Sequence, residues 1–107
     1  MNLNVLKVLS DTIHARRTAS AQASYTRQLL DAGPSKCAKK LGEEAVELVI
    51  AATSEDDAAL HNEAADVVYH LLVLLESRDT DLAAVLDVLA ERHGVSGLDE
   101  KASRTST

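Results

Sequence analysis

Apolar side chains recur every three or four residues along most of this chain, which is the spacing of one face of an α-helix. Near the amino terminus Leu3, Leu6, Leu9 and Ile13 follow this spacing. No stretch of any length alternates apolar and polar residues as a half-buried strand does. The pattern therefore predicts an all-α fold.

Polar breaks divide the pattern into four main helical segments and one short piece. The segments are predicted over residues 2–17, 36–53, 55–77 and 81–92, with a loop over 18–26 and a short helical piece over 25–30. Gly42, inside the second segment, is expected to mark the close approach of another part of the chain. We expect one domain over 1–94 and a partly mobile polar tail over 95–107.

Residues that favour helix ends stand in each break. Gly94 is expected to end the last helix as a C′ glycine. The expected N-caps of the second, third and fourth segments are, in order, Ser35, Thr53 or Ser54, and Asp79 or Thr80.

The composition suits helix packing but limits the core that one chain can build. Hydrophobic residues make up 46% of the 107 residues, with two Tyr and no Phe or Trp. Small aliphatic side chains allow close helix contacts, yet four helices of this size leave an apolar face bare. We therefore expect a four-helix bundle completed by dimerisation, as a homodimer or a higher homo-oligomer.

The charge balance excludes two classes of partner. Seventeen Asp and Glu against eleven Lys and Arg give a net charge of −6. Nucleic-acid and membrane-surface binders need a basic face, so we expect neither partner here. The first nine residues lack the apolar core of a signal peptide. The apolar run over 67–75 is too short to span a bilayer. A single cysteine cannot form an internal disulfide. A cytoplasmic protein is expected.

Two acidic clusters lie on neighbouring predicted helices. Glu43, Glu44 and Glu47 belong to the second segment, and Glu63 and Asp66 belong to the third. Residues three or four apart share a helix face, and a short connection favours antiparallel packing, so carboxylates of the two helices would face each other. Clustered carboxylates repel one another, and Mg²⁺, which takes oxygen ligands, removes the repulsion. The clusters therefore predict a magnesium site.

A solvated helix surface is the alternative interpretation of the first cluster. Lys39–Glu43 and Lys40–Glu44 have the i, i+4 spacing of ordinary surface ion pairs. The acids of the third segment are harder to explain in this way, because they adjoin a long apolar run where an uncompensated carboxylate is costly.

Several cations and one histidine are candidates for ligand contact. Lys36 and Lys40 lie on the same side of the second segment as the acids and would neutralise a polyphosphate beside the metal. Arg16 and Arg17 could reach phosphate, although a helix C-terminus also favours cations. His70 either contacts ligand or is a core histidine bonded to a backbone or carboxylate group. A di-iron bundle is disfavoured because it would need Glu-x-x-His pairs.

Glu43-Glu44-x-x-Glu47, followed after 15 residues by Glu63-x-x-Asp66, resembles the signature of the all-α, MazG-like nucleoside triphosphate pyrophosphatases. The finer details resemble the phosphoribosyl-ATP pyrophosphatase family of histidine biosynthesis. The resemblance covers nearly the whole chain. The matching stretches are Ser-Tyr-Thr at 24–26, Leu-Leu at 29–30, Gly33, Lys-Lys-Leu-Gly-Glu-Glu-Ala at 39–45, Ile-Ala-Ala at 50–52, Asn-Glu-Ala-Ala-Asp at 62–66, Tyr-His-Leu-Leu-Val-Leu-Leu at 69–75, and Arg92, Gly94, Ser-Gly at 96–97, Glu-Lys-Ala at 100–102 and Arg104.

This resemblance implies a MazG-like bundle that binds a nucleotide and hydrolyses phosphoribosyl-ATP to phosphoribosyl-AMP and pyrophosphate with Mg²⁺. By position, the implied metal ligands are Glu44, Glu47, Glu63 and Asp66. Glu43 is implied to hold a second ion or to orient the attacking water, and Glu43, Glu44 and Glu47 are the catalytic candidates. Phosphate contacts are implied for Lys36, Lys39, Lys40, Lys101 and Arg104.

The chain departs from the family at one core position, because Cys37 stands where a larger aliphatic residue is expected. Nothing in it resembles the cyclohydrolase domain to which some relatives are fused. Two other functions compete with the preferred one. The first is a housecleaning pyrophosphatase that acts on aberrant or deoxy nucleotides, and the second is a non-enzymatic helical dimerisation module whose acids are merely solvated.

Overall fold

A computed structural model describes residues 1–22 and 24–94. This part of the chain forms helices α1 (Asn4–Ala15), α2 (Tyr25–Ala32), α3 (Pro34–Ser54), α4 (Asp57–Ser77) and α5 (Leu82–His93), with a 3₁₀ turn, Arg16–Thr18, after α1. The described residues contain no strand, so the predicted all-α class is confirmed, and the short piece predicted at 25–30 is a full helix, α2. None of these helices has the length and apolar character that a membrane crossing requires.

Helices α3 and α4 form the centre of the fold. Each has 21 residues, and only Glu55 and Asp56 separate them, so they run antiparallel and make the most extensive helix–helix contact in the described part of the chain. Helices α1 and α2 pack against this pair. The antiparallel arrangement places the middle of α3 beside the first half of α4, where the two acidic clusters lie.

The helix N-caps differ from the predicted ones by one to three positions. Asp56 caps α4 by accepting from the Ala59 N–H at 2.9 Å, and Asp81 caps α5 by accepting from the Ala84 N–H at 3.1 Å. The predictions of Thr53 or Ser54 and of Asp79 or Thr80 are therefore wrong. Each turn offers several cap-type residues, and the chain uses the one whose extended backbone directly precedes the helix.

Gly33 joins two helices without a linker. Its φ of 95° and ψ of 174° end α2, and the same residue is the N-cap of α3, with Pro34 in the first position of the helix. The prediction that Ser35 is this N-cap is wrong because proline already starts the helix one residue earlier. Gly94 has a φ of −77°, so it ends α5 without the left-handed conformation of a C′ glycine.

The buried core of the described chain is small. Ile13, Leu29, Cys37, Leu72 and Val73 form its central cluster. The Cys37 thiol donates to the Leu29 carbonyl oxygen at 3.2 Å, and burial raises the pKa of this thiol, so a small residue fits this core position as a neutral thiol. In α4 only His70, Leu72, Val73 and Glu76 are buried within the described chain, although apolar residues run along most of this helix.

An ion-pair cluster that the sequence did not predict ties the end of α1 to the end of α4. The buried Glu76 carboxylate accepts from Arg17 and lies 2.6 Å from Nδ1 of His14. Arg17 also donates to the Glu76 carbonyl oxygen and to Asp79 at 2.8 Å. Arg17 is therefore a structural cation whose guanidinium is held within the chain, and its predicted contact with phosphate stays a prediction.

The two glycines at 33 and 42 provide a matched pair for a stability prediction. Gly33→Ala forces a side chain into a conformation that only glycine adopts readily and is expected to cost about 1–3 kcal/mol of unfolding free energy. In contrast, a Cβ at Gly42 meets nothing within 4 Å among the described residues, which contradicts the expected close approach. Gly42→Ala is expected to add about 0.5–1 kcal/mol, because alanine favours a helix interior.

Urea denaturation of both variants measures the two effects. Opposite signs are expected, and a loss of stability in Gly42→Ala would contradict the open surroundings of this glycine.

Candidate metal centre

Three carboxylates meet between α3 and α4. One oxygen each from Glu44, Glu63 and Asp66 lie within 4.8 Å of one another. Glu63 and Asp66 are three residues apart on α4 and share a face, while Glu44 reaches them from the antiparallel α3. Helical spacing and the short connection predicted that the two acidic clusters face each other. For these three residues the prediction is confirmed.

Glu63 carries the electrostatic cost of this arrangement. Its Oε2 atom is buried and has no hydrogen-bond partner among the described residues. Burial raises the pKa of Glu63, and the charges of Asp66, Glu44 and Glu47 raise it further. An acceptor atom that is withdrawn from water and surrounded by negative charge needs a cation or a proton beside it.

The donor set fits a hard divalent cation. All three groups offer carboxylate oxygen, which Mg²⁺ prefers, and octahedral Mg²⁺ places its ligands up to about 4 Å apart, close to the observed spacing. Bound Mg²⁺ would fill the place that the orphaned Glu63 oxygen faces. Two or three carboxylates also leave coordination positions for water and for substrate phosphate, which is the usual magnesium arrangement in phosphate chemistry.

The other two acids of the first cluster take different positions. Glu47 is exposed and lies outside the group of three, although its charge still acts on Glu63. Glu43 is paired with Lys40, whose Nζ lies 3.3 Å from the Glu43 carboxylate. This i, i+3 pair replaces the expected i, i+4 pairs Lys39–Glu43 and Lys40–Glu44. The roles of Glu43 and Glu47 stay predictions.

Lys40 extends the site towards the start of α2. It is partly buried, and its hydrogen bond with Glu43 is the main influence that raises its pKa. The Glu43 charge and, less strongly, Tyr25 and Glu44 raise the pKa of Lys40 further. Lys36 and Lys39 are exposed on the first turns of α3. Lys101 and Arg104 lie outside the described residues.

His70 sits one turn beyond Asp66 on α4 and is 7% exposed. Its Nδ1 lies 2.8 Å from the Asp66 carbonyl oxygen. Because a carbonyl only accepts, Nδ1 carries the proton and donates it, and Nε2 is the acceptor of the neutral ring. Nε2 is buried with no partner among the described residues, and both Tyr25 and Tyr69 contact the ring edge-on. The predicted backbone hydrogen bond is present, and contact with ligand stays a prediction.

Arg16 lies apart from the carboxylates. It lines a separate cleft between α1, the start of α2 and α4, together with Tyr25, Thr26 and Tyr69. Sequence reasoning selected Arg16 but did not predict this cleft or the hydrogen bond between the Thr26 and Tyr69 hydroxyls. The sequence signal that could have indicated this cleft is the polar stretch 24–26 at the start of α2, where Tyr25 and Thr26 contact α4.

Comparison with known proteins agrees with this geometry. Residues 6–93 match the family described as Phosphoribosyl-ATP pyrophosphohydrolase. The chain is 55% identical over 102 residues to a phosphoribosyl-ATP pyrophosphatase of Dinoroseobacter shibae, which covers 95% of this chain and 100% of the relative. It is 54% identical over 96 residues to phosphoribosyl-ATP pyrophosphatase 1 of Rhodopseudomonas palustris, covering 90% of each chain. The chain therefore belongs to the phosphoribosyl-ATP pyrophosphohydrolase family.

Proposed function

We propose that this protein hydrolyses phosphoribosyl-ATP to phosphoribosyl-AMP and pyrophosphate, using Mg²⁺ held by Glu44, Glu63 and Asp66. Membership of the family makes the chain a hydrolase that acts on a phosphoric anhydride, in histidine biosynthesis. The observation that carries the proposal for the metal is the meeting of three carboxylates, one of which keeps a buried oxygen with no partner in the described part of the chain.

The side chains around the cluster supply the remaining chemistry. When bound, Mg²⁺ would polarise a phosphoryl oxygen and lower the pKa of a bound water. Lys40, with Lys39 next to it in sequence and Lys36 one turn earlier, would offset the charge of the triphosphate and of the departing pyrophosphate. Glu43 and Glu47 flank the group of three, where either carboxylate can orient the attacking water by accepting its hydrogen bond.

The direct test of the proposed reaction is pyrophosphate release from phosphoribosyl-ATP, with and without Mg²⁺. We expect turnover that requires the metal and yields one pyrophosphate per phosphoribosyl-AMP. A panel of canonical and deoxy nucleoside triphosphates is the control, and each is expected to react at least about tenfold more slowly, a difference of about 1.4 kcal/mol. Preference for a deoxynucleotide would replace this proposal with the housecleaning function.

Glu63→Gln is expected to change stability in opposite directions with and without metal. At neutral pH the metal-free variant is expected to melt at a higher temperature, because a repelling charge leaves the cluster and the amide can donate to Glu44. The raised pKa of Glu63 has the same origin, so wild-type stability in the absence of metal falls as pH rises through that pKa, and the variant lacks this dependence. Mg²⁺ raises the melting temperature of wild type by binding the native state, and the variant is expected to lose most of that increase.

Two further variants sharpen this experiment. Glu91→Gln removes the same charge from the exposed surface of α5 and is expected to keep the full response to Mg²⁺. Glu47→Gln tests whether Glu47 is a metal ligand or only a neighbour of the site. If Glu47 is a ligand, this variant is expected to lose the Mg²⁺ response as Glu63→Gln does. If no variant in the cluster alters the response, the metal binds elsewhere; if wild type shows no response, the solvated-acid interpretation stands.

We also propose that two copies of the chain associate through the outer face of α3. Val46, Val49 and Ile50 form one stripe there and are 58%, 62% and 45% exposed, so three neighbouring large aliphatic side chains face outward. The same stripe on a second copy of the chain would pack against it, and both stripes would then be buried.

Analytical ultracentrifugation is expected to give twice the 11.4 kDa chain mass. Replacing Val46 and Val49 with lysine is expected to give single chains, whereas the control Val5→Lys on α1 leaves the mass unchanged. A wild-type protein that sediments as one chain would contradict the proposal.

A further inference from the structure

A second cleft lies beside the carboxylate cluster and shares no residue with it. Its volume is about 300 Å³, and it opens between α1, the start of α2 and α4. Tyr69, which lines it, is three residues from Asp66 on α4, so the two sites are adjacent turns of one helix. The lining residues are Leu9, Thr12, Ile13, Arg16, Ser24, Tyr25, Thr26 and Tyr69.

The polar groups of this cleft are arranged to donate. Arg16 is exposed, and no carboxylate of residues 1–22 or 24–94 lies within ion-pair distance of its guanidinium. The Thr26 and Tyr69 hydroxyls share one hydrogen bond, so one of their two protons is left to donate elsewhere. Ser24 Oγ accepts from the Arg27 N–H at 3.1 Å, which leaves its own proton free to donate. Backbone N–H groups in the first turn of α2 add to this set.

Among residues 1–22 and 24–94, no carboxylate lines this cleft, which distinguishes it from the larger one on the other side of α1. That cavity, of about 490 Å³, is lined by Asp11, Glu76, Asp79 and Asp81, and its arginine, Arg17, is already paired. In a chain with a net charge of −6, a cleft whose described lining residues supply an unpaired arginine and several hydroxyl donors but no acid is suited to an anion.

We infer that this cleft binds the 5′-phosphate of the phosphoribosyl group, an assignment that depends on the proposed function. The substrate has two anionic ends, and its triphosphate must reach the carboxylates for the anhydride bond to be cut. The other phosphate then needs a separate site within reach. The Arg16 cleft is adjacent, because Tyr25 and Tyr69 line it and also contact His70, which is bonded to Asp66. A nucleoside triphosphate without the second phosphate gains nothing from this cleft, so Arg16 determines specificity.

Arg16→Gln tests the assignment through KM. Loss of a charge-assisted hydrogen bond to phosphate is expected to raise KM for phosphoribosyl-ATP about tenfold to a hundredfold, with kcat within about twofold. The slow reaction with ATP is expected to keep its KM. Arg16→Lys is expected to recover part of the loss because it restores the charge without the guanidinium fork, and Tyr69→Phe, which removes a hydroxyl donor, is expected to give a smaller rise.

Lys7→Gln is the matched control, because it removes one exposed positive charge from α1 outside the cleft. An equal rise in KM for Lys7→Gln and Arg16→Gln, or a parallel rise for phosphoribosyl-ATP and ATP, would show a general field effect and overturn the assignment.

Direct binding of two probes to the metal-free protein separates the two anionic ends and does not depend on turnover. Ribose 5-phosphate is expected to bind wild type and to lose about tenfold or more of its affinity in Arg16→Gln, while tripolyphosphate is unaffected. If Arg16→Gln weakens the binding of tripolyphosphate alone, the cleft belongs to the triphosphate and our inference is overturned. The inference is also overturned if ribose 5-phosphate binds wild type and Arg16→Gln equally well. A third outcome separates the two proposals. If wild type does not turn over phosphoribosyl-ATP but binds ribose 5-phosphate through Arg16, the proposed function is wrong and the phosphate site is still supported.

Discussion

Mutual repulsion among carboxylates held between two helices is the constraint on which this structure depends. Glu44, Glu63 and Asp66 come within 4.8 Å because apolar contacts along α3 and α4 hold the helices together regardless of the charges between them. The Glu63 oxygen without a partner is the most direct sign that the fold tolerates an unfavourable contact here. Such tolerated strain is typical of positions that are arranged for a ligand rather than for stability.

Local patterns were sufficient to predict the helices and the meeting of the acidic clusters, because both follow from periodicity and from one short connection. They were insufficient for the helix caps, where each turn offers several residues of the same chemistry. The link between Arg17 and Glu76 spans 59 residues of sequence and joins a helix end to a buried acid that no local rule selects. Spacing alone also leaves Glu47 undecided: it matches that of a ligand, the side chain lies outside the group of three, and its role stays a prediction.

The two ends of α4 have different electrostatic roles. Near its start, acids meet acids, and the structure leaves a charge without compensation. Near its end, Glu76 meets His14 and Arg17, and the charges are balanced within the chain. Because the balanced end anchors α1, the positions of Arg16 and of the α1 side of its cleft are set by a contact outside the carboxylate cluster. Residues that never touch substrate can therefore influence how it is bound.

Gly33 has a mechanical consequence. With no linker between α2 and α3, a rotation about this one residue is the simplest motion that shifts Tyr25 and Thr26 relative to the lysines and carboxylates of α3. The spacing between the proposed phosphate cleft and the proposed metal centre therefore depends on the backbone angles of a single residue.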